Sequence, residues 1–239
     1  MLVLGIDTAT LVCSVALADY DRIIGEYSLN IKKTHSQRLM PLIDNLMRDS
    51  HLDREALEGI AVTSGPGSFT GIRIGVATAR GLAQGLRLPL VGVPTLDILA
   101  AQFPYARGII CPLLDARRQE VYACLYQFSG DKMERLTSYM AAPLVEILDL
   151  LKEKPGERVI FLGDALERYG DIIKERLGER ASWAPPPLRI NRGALVAQLG
   201  REKIVEGEKD YLESYKNLEP LYLRRSQAEV KWEERQKRG

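Results

Sequence analysis

Three stretches of this chain carry side chains whose types and spacing could do chemistry. The first is Gly5-Ile6-Asp7-Thr8, an apolar run that ends in an aspartate and a hydroxyl just ahead of a turn. Such an aspartate could hold a metal-bound phosphate, directly or through water, while backbone amides of the turn face the phosphate oxygens. Ala9 argues against it, because a Cβ two residues after the aspartate hinders the close approach of backbone to phosphate that glycine would permit. A structural loop is the preferred reading of Asp7 and Thr8. The second stretch, Asp115-Ala116-Arg117-Arg118, sets two guanidiniums beside an acid on a loop after a strand. They could bind phosphate or RNA, or close a salt-bridged loop with Asp115 and Glu120. The third, Ser64-Gly65-Pro66-Gly67-Ser68-Phe69-Thr70-Gly71-Ile72-Arg73, is a turn-forming string that opens a helix.

Other chemistries lack their parts. His35 and His51 are the two histidines of the chain; they flank one helix and cannot share a metal without other ligands, and His35 reads as a capping-region residue. No serine or cysteine stands in an elbow pattern with a histidine placed to activate it. Cys13, Cys111 and Cys124 are scattered through apolar, strand-like contexts and read as buried thiols of a reducing compartment.

The elements that must position these residues alternate between strands and helices. Met1 to Ile6, Val12 to Ala18 and Arg22 to Leu29 read as three strands, the last two joined by a turn at Asp19 to Asp21. Leu39, Leu42, Ile43 and Leu46 share one helical face, with Thr34-His35-Ser36-Gln37 fitting a capping box at its start. Pro41 then falls in the second turn and should bend the helix. Leu57 to Ser64 reads as a strand, Phe69 to Gly85 as a helix and Leu88 to Val93 as a strand. Ile109 to Asp115 repeats the opening pattern 108 positions on, and in both copies a second strand begins six residues after the aspartate, at Cys13 and at Val121. A duplicated domain explains this. The second copy continues with helices near Leu144 to Leu151, Leu166 to Leu177 and Ala194 to Val205, and a strand at Val159 to Leu162. The whole predicts an α/β fold of two similar layered domains with a cleft between them.

A net charge of +1 gives the molecule no global field for nucleic acid. The six Lys and Arg against three Glu in residues 224–239 are the one basic run, and they read as a solvated terminus ahead of an RNA contact. No apolar run approaches a membrane span and the chain opens directly on a strand, which predicts a cytoplasmic protein.

The string from Ser64 to Arg73 resembles the signature shared by the TsaB and TsaD proteins of the tRNA threonylcarbamoyladenosine pathway. Gly5-Ile6-Asp7-Thr8, Thr34-His35-Ser36, Asp115-Ala116-Arg117-Arg118 with Glu120-Val121-Tyr122, and Pro220-Leu221-Tyr222-Leu223-Arg224 extend the likeness to the TsaB family over nearly the whole chain. TsaD carries an H-x-x-x-H metal pair, whose positions correspond here to Thr95 and Leu99; neither replaces imidazole as a ligand. The resemblance therefore implies a duplicated actin-like fold. Its N-terminal domain is expected over residues 1–102, joined by a C-terminal segment 216–239, and its second domain over 103–215. It also implies a non-catalytic subunit with no metal and no cofactor, a weak or vestigial nucleotide site being left open at Asp7 and Thr8. The subunit would bind and organise TsaD, which modifies the adenosine 3′ of the anticodon in tRNAs reading codons that begin with A. The ATPase TsaE would join them, tRNA would be met through the complex, and the chain alone would form a homodimer. A self-sufficient ATP-dependent kinase or hydrolase of the same superfamily, anchored on Asp7, is the rival.

Gly71, Gly75 and Ala79 recur every four residues on the second helix and would let another helix approach closely; packing on the chain's own sheet is the alternative. Met40 and Met47 lie a heptad apart beside Leu39 and Ile43 and suit an adaptable partner surface. Together with Arg73 these residues form the expected helix-on-helix interface.

Overall fold

The computed structural model describes residues 1–31, 34–207 and 214–224. Strands β1 (Val3–Asp7), β2 (Val12–Ala18) and β3 (Ile23–Asn30) form an antiparallel meander. Helix α1 (Leu39–Asp49), strand β4 (Gly59–Gly65), helix α2 (Phe69–Leu86), strand β5 (Leu90–Pro94) and helix α3 (Thr95–Ala100) follow. The first sheet has the order β3-β2-β1-β4-β5, with β4 parallel to both β1 and β5.

Strands β6 (Ile109–Arg117), β7 (Glu120–Ala123), β8 (Tyr126–Ser129), β9 (Lys132–Arg135) and β10 (Met140–Pro143) lead into α4 (Leu144–Lys152). Then come β11 (Val159–Leu162), α5 (Leu166–Leu177), β12 (Ala181–Trp183), α6 (Gly193–Glu206) and the short α7 (Ser214–Asn217). The second sheet has the path β10-β7-β6-β11-β12, with the β8–β9 hairpin attached to β6. Strand for strand, the directions repeat the first sheet: two antiparallel pairs, then two parallel ones. The duplication read from the Asp7 and Asp115 patterns is thus a duplication of topology, and the fold is the duplicated actin-like α/β arrangement.

Each sheet is covered on both faces, so its strands read as apolar runs. On one face of the first sheet Leu4, Ile6, Val15 and Val62 pack against Leu39, Leu42, Ile43 and Leu46 of α1 and Ile72 and Val76 of α2. On the other, Val3, Ala18 and Ala61 meet Val196, Ala197 and Ile204 of α6. In the second sheet Ile109, Cys111, Leu113 and Phe161 pack on α4 and α5. Its opposite face, with Ile110, Leu114 and Leu162, receives Leu96, Leu99 and Ala100 of α3. The last helix of each repeat therefore packs on the sheet of the other.

This exchange corrects the expected boundaries. Residues 193–206 complete the first sheet, although they fall inside the stretch 103–215, because Gly5 leaves no Cβ between β1 and the backbone of Gly193 and Ala197. Leu221 and Tyr222, after α7, lie on the first domain, where Leu221 N donates to the Ser64 carbonyl at 2.7 Å and the Tyr222 ring lies 4.8 Å from that of Phe69.

The helix entry also differs from the sequence reading. Thr34 makes no side-chain cap, His35–Gln37 is a 3₁₀ turn, and α1 starts at Leu39. Pro41 therefore sits in the first turn, where its missing N–H has no intrahelical partner to lose, and the expected bend has no cause. Among the described residues no helix is long and apolar enough to cross a membrane.

Candidate functional site

The Asp7 loop is filled by the chain itself. Asp7 and Thr8 are both fully buried. Asp7 Oδ1 accepts from Thr63 Oγ1 at 2.6 Å and Asn191 Nδ2 at 3.2 Å, and Thr8 Oγ1 donates to the Gly71 carbonyl at 2.8 Å. Burial pushes the Asp7 carboxyl above its ordinary range, and the donors Thr63 and Asn191 and the backbone amide of Ala9 oppose that shift. Asp7 Oδ2 and Asn191 Oδ1 are buried with no hydrogen-bond partner.

At the N-terminus of α2, where backbone amides could receive an anion, two amides are taken by the chain itself. Ser68 N donates to the Ala9 carbonyl at 2.7 Å, and Ser68 Oγ caps the helix by accepting from Gly71 N at 3.2 Å. A Cβ on Gly67 would strike the Ala9 carbonyl, so the string from Ser64 to Arg73 closes over Ala9 with no gap between. Gly67 and Gly71 serve this closure, against Ala9 and Thr8, while Gly65 makes room for the Leu221 carbonyl.

The expected interface stripe faces the same way. A Cβ on Gly71 would collide with the Thr8 carbonyl and one on Gly75 with Thr8 Oγ1, while Ala79 is fully buried. Gly71, Gly75 and Ala79 thus pack on this chain's own sheet, which corrects the partner-facing reading. Leu39, Ile43 and Met47 are buried in the same core. Met40 is 45% exposed, and it borders a small groove between α1 and α2 that Ile43, Met47, Leu82 and Leu86 help to line. Arg73 is exposed too; its guanidinium lies 3.8 Å over the Phe69 ring, and its Nε donates to Tyr222 Oη at 3.1 Å.

The opposite face of α2 carries a second small-residue stripe that sequence reasoning missed. Ala77, Gly81 and Gly85 are exposed and again four apart, and a Cβ on Gly81 or Gly85 would meet nothing. The signal was present in the spacing; the sequence alone does not say which of two opposed stripes looks outward.

The remaining candidates sort simply. Thr95 and Leu99 are buried in α3. His35 Nε2 donates to the Thr10 carbonyl at 2.8 Å, and His51 follows α1 with a positive φ. Among the described residues no three His, Cys, Asp or Glu side chains are placed to hold a metal ion. Cys13, Cys111 and Cys124 are buried free thiols, and burial pushes Cys13 up to about 11. The expected bridges around Asp115 form with other partners: Arg168 lies 3.9 Å from Asp115 and Arg224 2.7 Å from Glu120. The basic run after Arg224 lies outside the described residues.

The family described as TsaD, tRNA N6-adenosine threonylcarbamoyltransferase, matches residues 22–232. The tRNA threonylcarbamoyladenosine biosynthesis protein TsaB of Bacillus subtilis is 37% identical over 99% of this chain and 100% of its own length. Its namesake from Escherichia coli is 39% identical over 73% of this chain and 76% of its own. Among solved structures, YeaZ from Pseudomonas aeruginosa superposes with a TM-score of 0.75 at 27% identity, covering 93% of this chain and 99% of that one.

Proposed function

Because the chain belongs to the TsaB family, we propose that it serves tRNA threonylcarbamoyladenosine biosynthesis as a non-catalytic subunit that binds and organises a TsaD-type transferase. The observation that carries this reading is the sealed Asp7 loop. Its aspartate is committed to Thr63 and Asn191, its threonine to Gly71, and the helix terminus above it to Ala9. A kinase or hydrolase needs that space for phosphate, so the rival reading loses its anchor.

The outer face of α1 and α2 supports the docking role. Glycines inside a helix cost about 1 kcal/mol each relative to alanine, and Gly81 and Gly85 have no internal contact that accounts for them. A partner helix lying against Ala77, Gly81 and Gly85, with Met40 at the edge, accounts for them. The inward stripe of Gly71, Gly75 and Ala79 acts behind this surface by seating α2 on the sheet, and Arg73 borders it. The same surface serves a second copy of the chain when the transferase is absent, and TsaE joins the assembled pair in the cytoplasm.

Reconstitution tests the proposal. Incubated with threonylcarbamoyl-adenylate and unmodified tRNA, the pure chain should give no modified nucleoside, and activity should appear when TsaD and TsaE are added. Product from the chain alone would overturn the non-catalytic reading. Gly81→Leu and Met40→Asp should keep the fold and weaken TsaD binding tenfold or more, a change of about 1.4 kcal/mol. Undiminished binding by both folded variants would move the interface elsewhere.

A further inference from the structure

We propose that the tip of the β6–β7 hairpin, Arg117-Arg118-Gln119, is a direct contact for the phosphodiester backbone of RNA. The first observation is backbone strain. Arg117, Arg118 and Gln119 have φ values of 62°, 52° and 65° in succession. With β6 ending at Arg117 and β7 starting at Glu120, Arg118-Gln119 is a two-residue hairpin loop with positive φ at both positions, as a type I′ turn requires. Asn-Gly fills such a turn with little cost; a side chain with a Cβ in the left-handed region crowds its own carbonyl. Three consecutive long polar side chains therefore occupy positions where local energetics select against them, and such outliers persist where function holds them.

The second observation is how the tip is held. Arg117 N donates to Asp115 Oδ1 at 2.7 Å, and Asp115 N donates to Asp164 Oδ1 at 2.9 Å. From the C-terminal segment, Arg224 Nη1 donates to the Ala116 carbonyl at 3.0 Å and pairs with Glu120. Arg168 and Arg224 thus engage the acids beside the tip, Asp115 and Glu120. The guanidiniums of Arg117 and Arg118 are exposed and have no side-chain partner among the described residues. A pre-shaped turn with two uncommitted planar cations is matched to phosphate oxygens, which a guanidinium fork receives two at a time.

Exposure selects the ligand class. A small anion at this tip would be held from one side only, whereas a polyanion lays successive phosphates against both arginines. RNA is the polyanion at hand, a step that rests on the proposed role in tRNA modification.

The test uses the full chain and a fluorescein-labelled unmodified tRNA transcript, followed by anisotropy from about 50 to 200 mM salt, the range over which phosphate contacts are lost. Arg117→Ala with Arg118→Ala should weaken binding about fivefold or more and reduce the slope of log K against log salt by about 1.4 to 1.8, that is 0.7 to 0.9 for each phosphate contact. The pair Lys174→Ala and Arg176→Ala, which removes the same charge from the last turn of α5, should change both far less. Arg118→Asn with Gln119→Gly, which suits the turn, should raise the melting temperature and still weaken RNA binding. Each of these results would overturn the proposal: no binding by the native chain at low salt, equal losses in the α5 control, a stabilised turn variant with undiminished binding, or displacement of RNA by micromolar ATP. TsaD binding, measured without RNA, should survive in the tip variants. Its loss in them while RNA binding persists would assign the tip to a protein and refute the RNA contact, whereas a native chain that binds RNA but not TsaD would refute the subunit role alone.

Discussion

Replacing Gly71 by alanine should destabilise the protein by about 3 kcal/mol, although alanine is the better helix former. Gly71 is the third residue of α2, so the propensity gain is at most about 1 kcal/mol. Against it stands the Thr8 carbonyl, which the new methyl would strike directly. Backbone on both sides leaves no flexible side chain to swing away, and overpacking of this kind costs about 1 to 3 kcal/mol. The displacement would also part Thr8 Oγ1 from the Gly71 carbonyl, and an unmade buried hydrogen bond costs about 1 to 3 kcal/mol more. For a chain of this length each kcal/mol moves the melting temperature by about 2 to 4 °C, so the variant should melt roughly 6 to 12 °C lower. Gly81→Ala is the internal control: its methyl meets nothing, and it should raise the melting temperature by about 2 to 4 °C. Thermal unfolding followed by far-ultraviolet circular dichroism reads both variants. If Gly71→Ala matched or exceeded the native protein, the close seating of α2 on the Asp7 loop would be refuted, and with it the sealed site.

Two further outcomes can be stated from the buried titratable groups. Burial raises the Asp7 carboxyl above its unfolded value, so the native state binds the extra proton and stability falls as pH rises from the ordinary carboxylate range through the raised value. Asp7→Asn lacks that loss, and its stability relative to the native protein should grow with pH in urea titrations; a difference that shrinks with pH would contradict the assignment. Cys13, Cys111 and Cys124 are buried, and burial pushes all three thiols up, so Ellman's reagent at pH 8 should label none of them until the chain unfolds, and rapid labelling of the native protein would show a more open core.

Much of the architecture is legible from local pattern, because fully covered strands are apolar along their length. Val12–Ala18, Val159–Leu162 and Leu166–Leu177 fall where the sequence puts them. What local pattern misses depends on distant partners. Strands β9 and β12 are short, and α3 is only six residues long; its place between the sheets comes from Leu96 and Leu99 packing on the second repeat. The domain boundary fails for the same reason, since nothing in the sequence of α6 says that Gly193 will lie against Gly5. At the candidate site, position 9 is legible as unusual from its missing glycine, and the structure seats Gly67 and Ser68 directly against the Ala9 carbonyl. The spacing of Gly71, Gly75 and Ala79 suggests a close helix contact, and the direction of that contact is fixed only by the carbonyl and hydroxyl of Thr8.

The exchange of α3 and α6 between the two sheets bears on how the chain is made. Strands β6 to β12, with α4 and α5, form one continuous stretch, and α3 precedes it, so the apolar core of the second sheet has been synthesised once Leu188, just past β12, has emerged. The first sheet is in the opposite position. Its strands are complete at Pro94, yet the groove left bare by Gly5 and Ala61 waits for Gly193 to Glu206, about one hundred residues later. At the usual rate of about 5 to 20 residues per second that is an interval of roughly 5 to 20 s, during which an apolar sheet face has no covering helix. The nascent chain therefore matures from its middle outward, and a ribosome stalled before α6 would release a protein whose second half is finished and whose first half is a sheet with one open side.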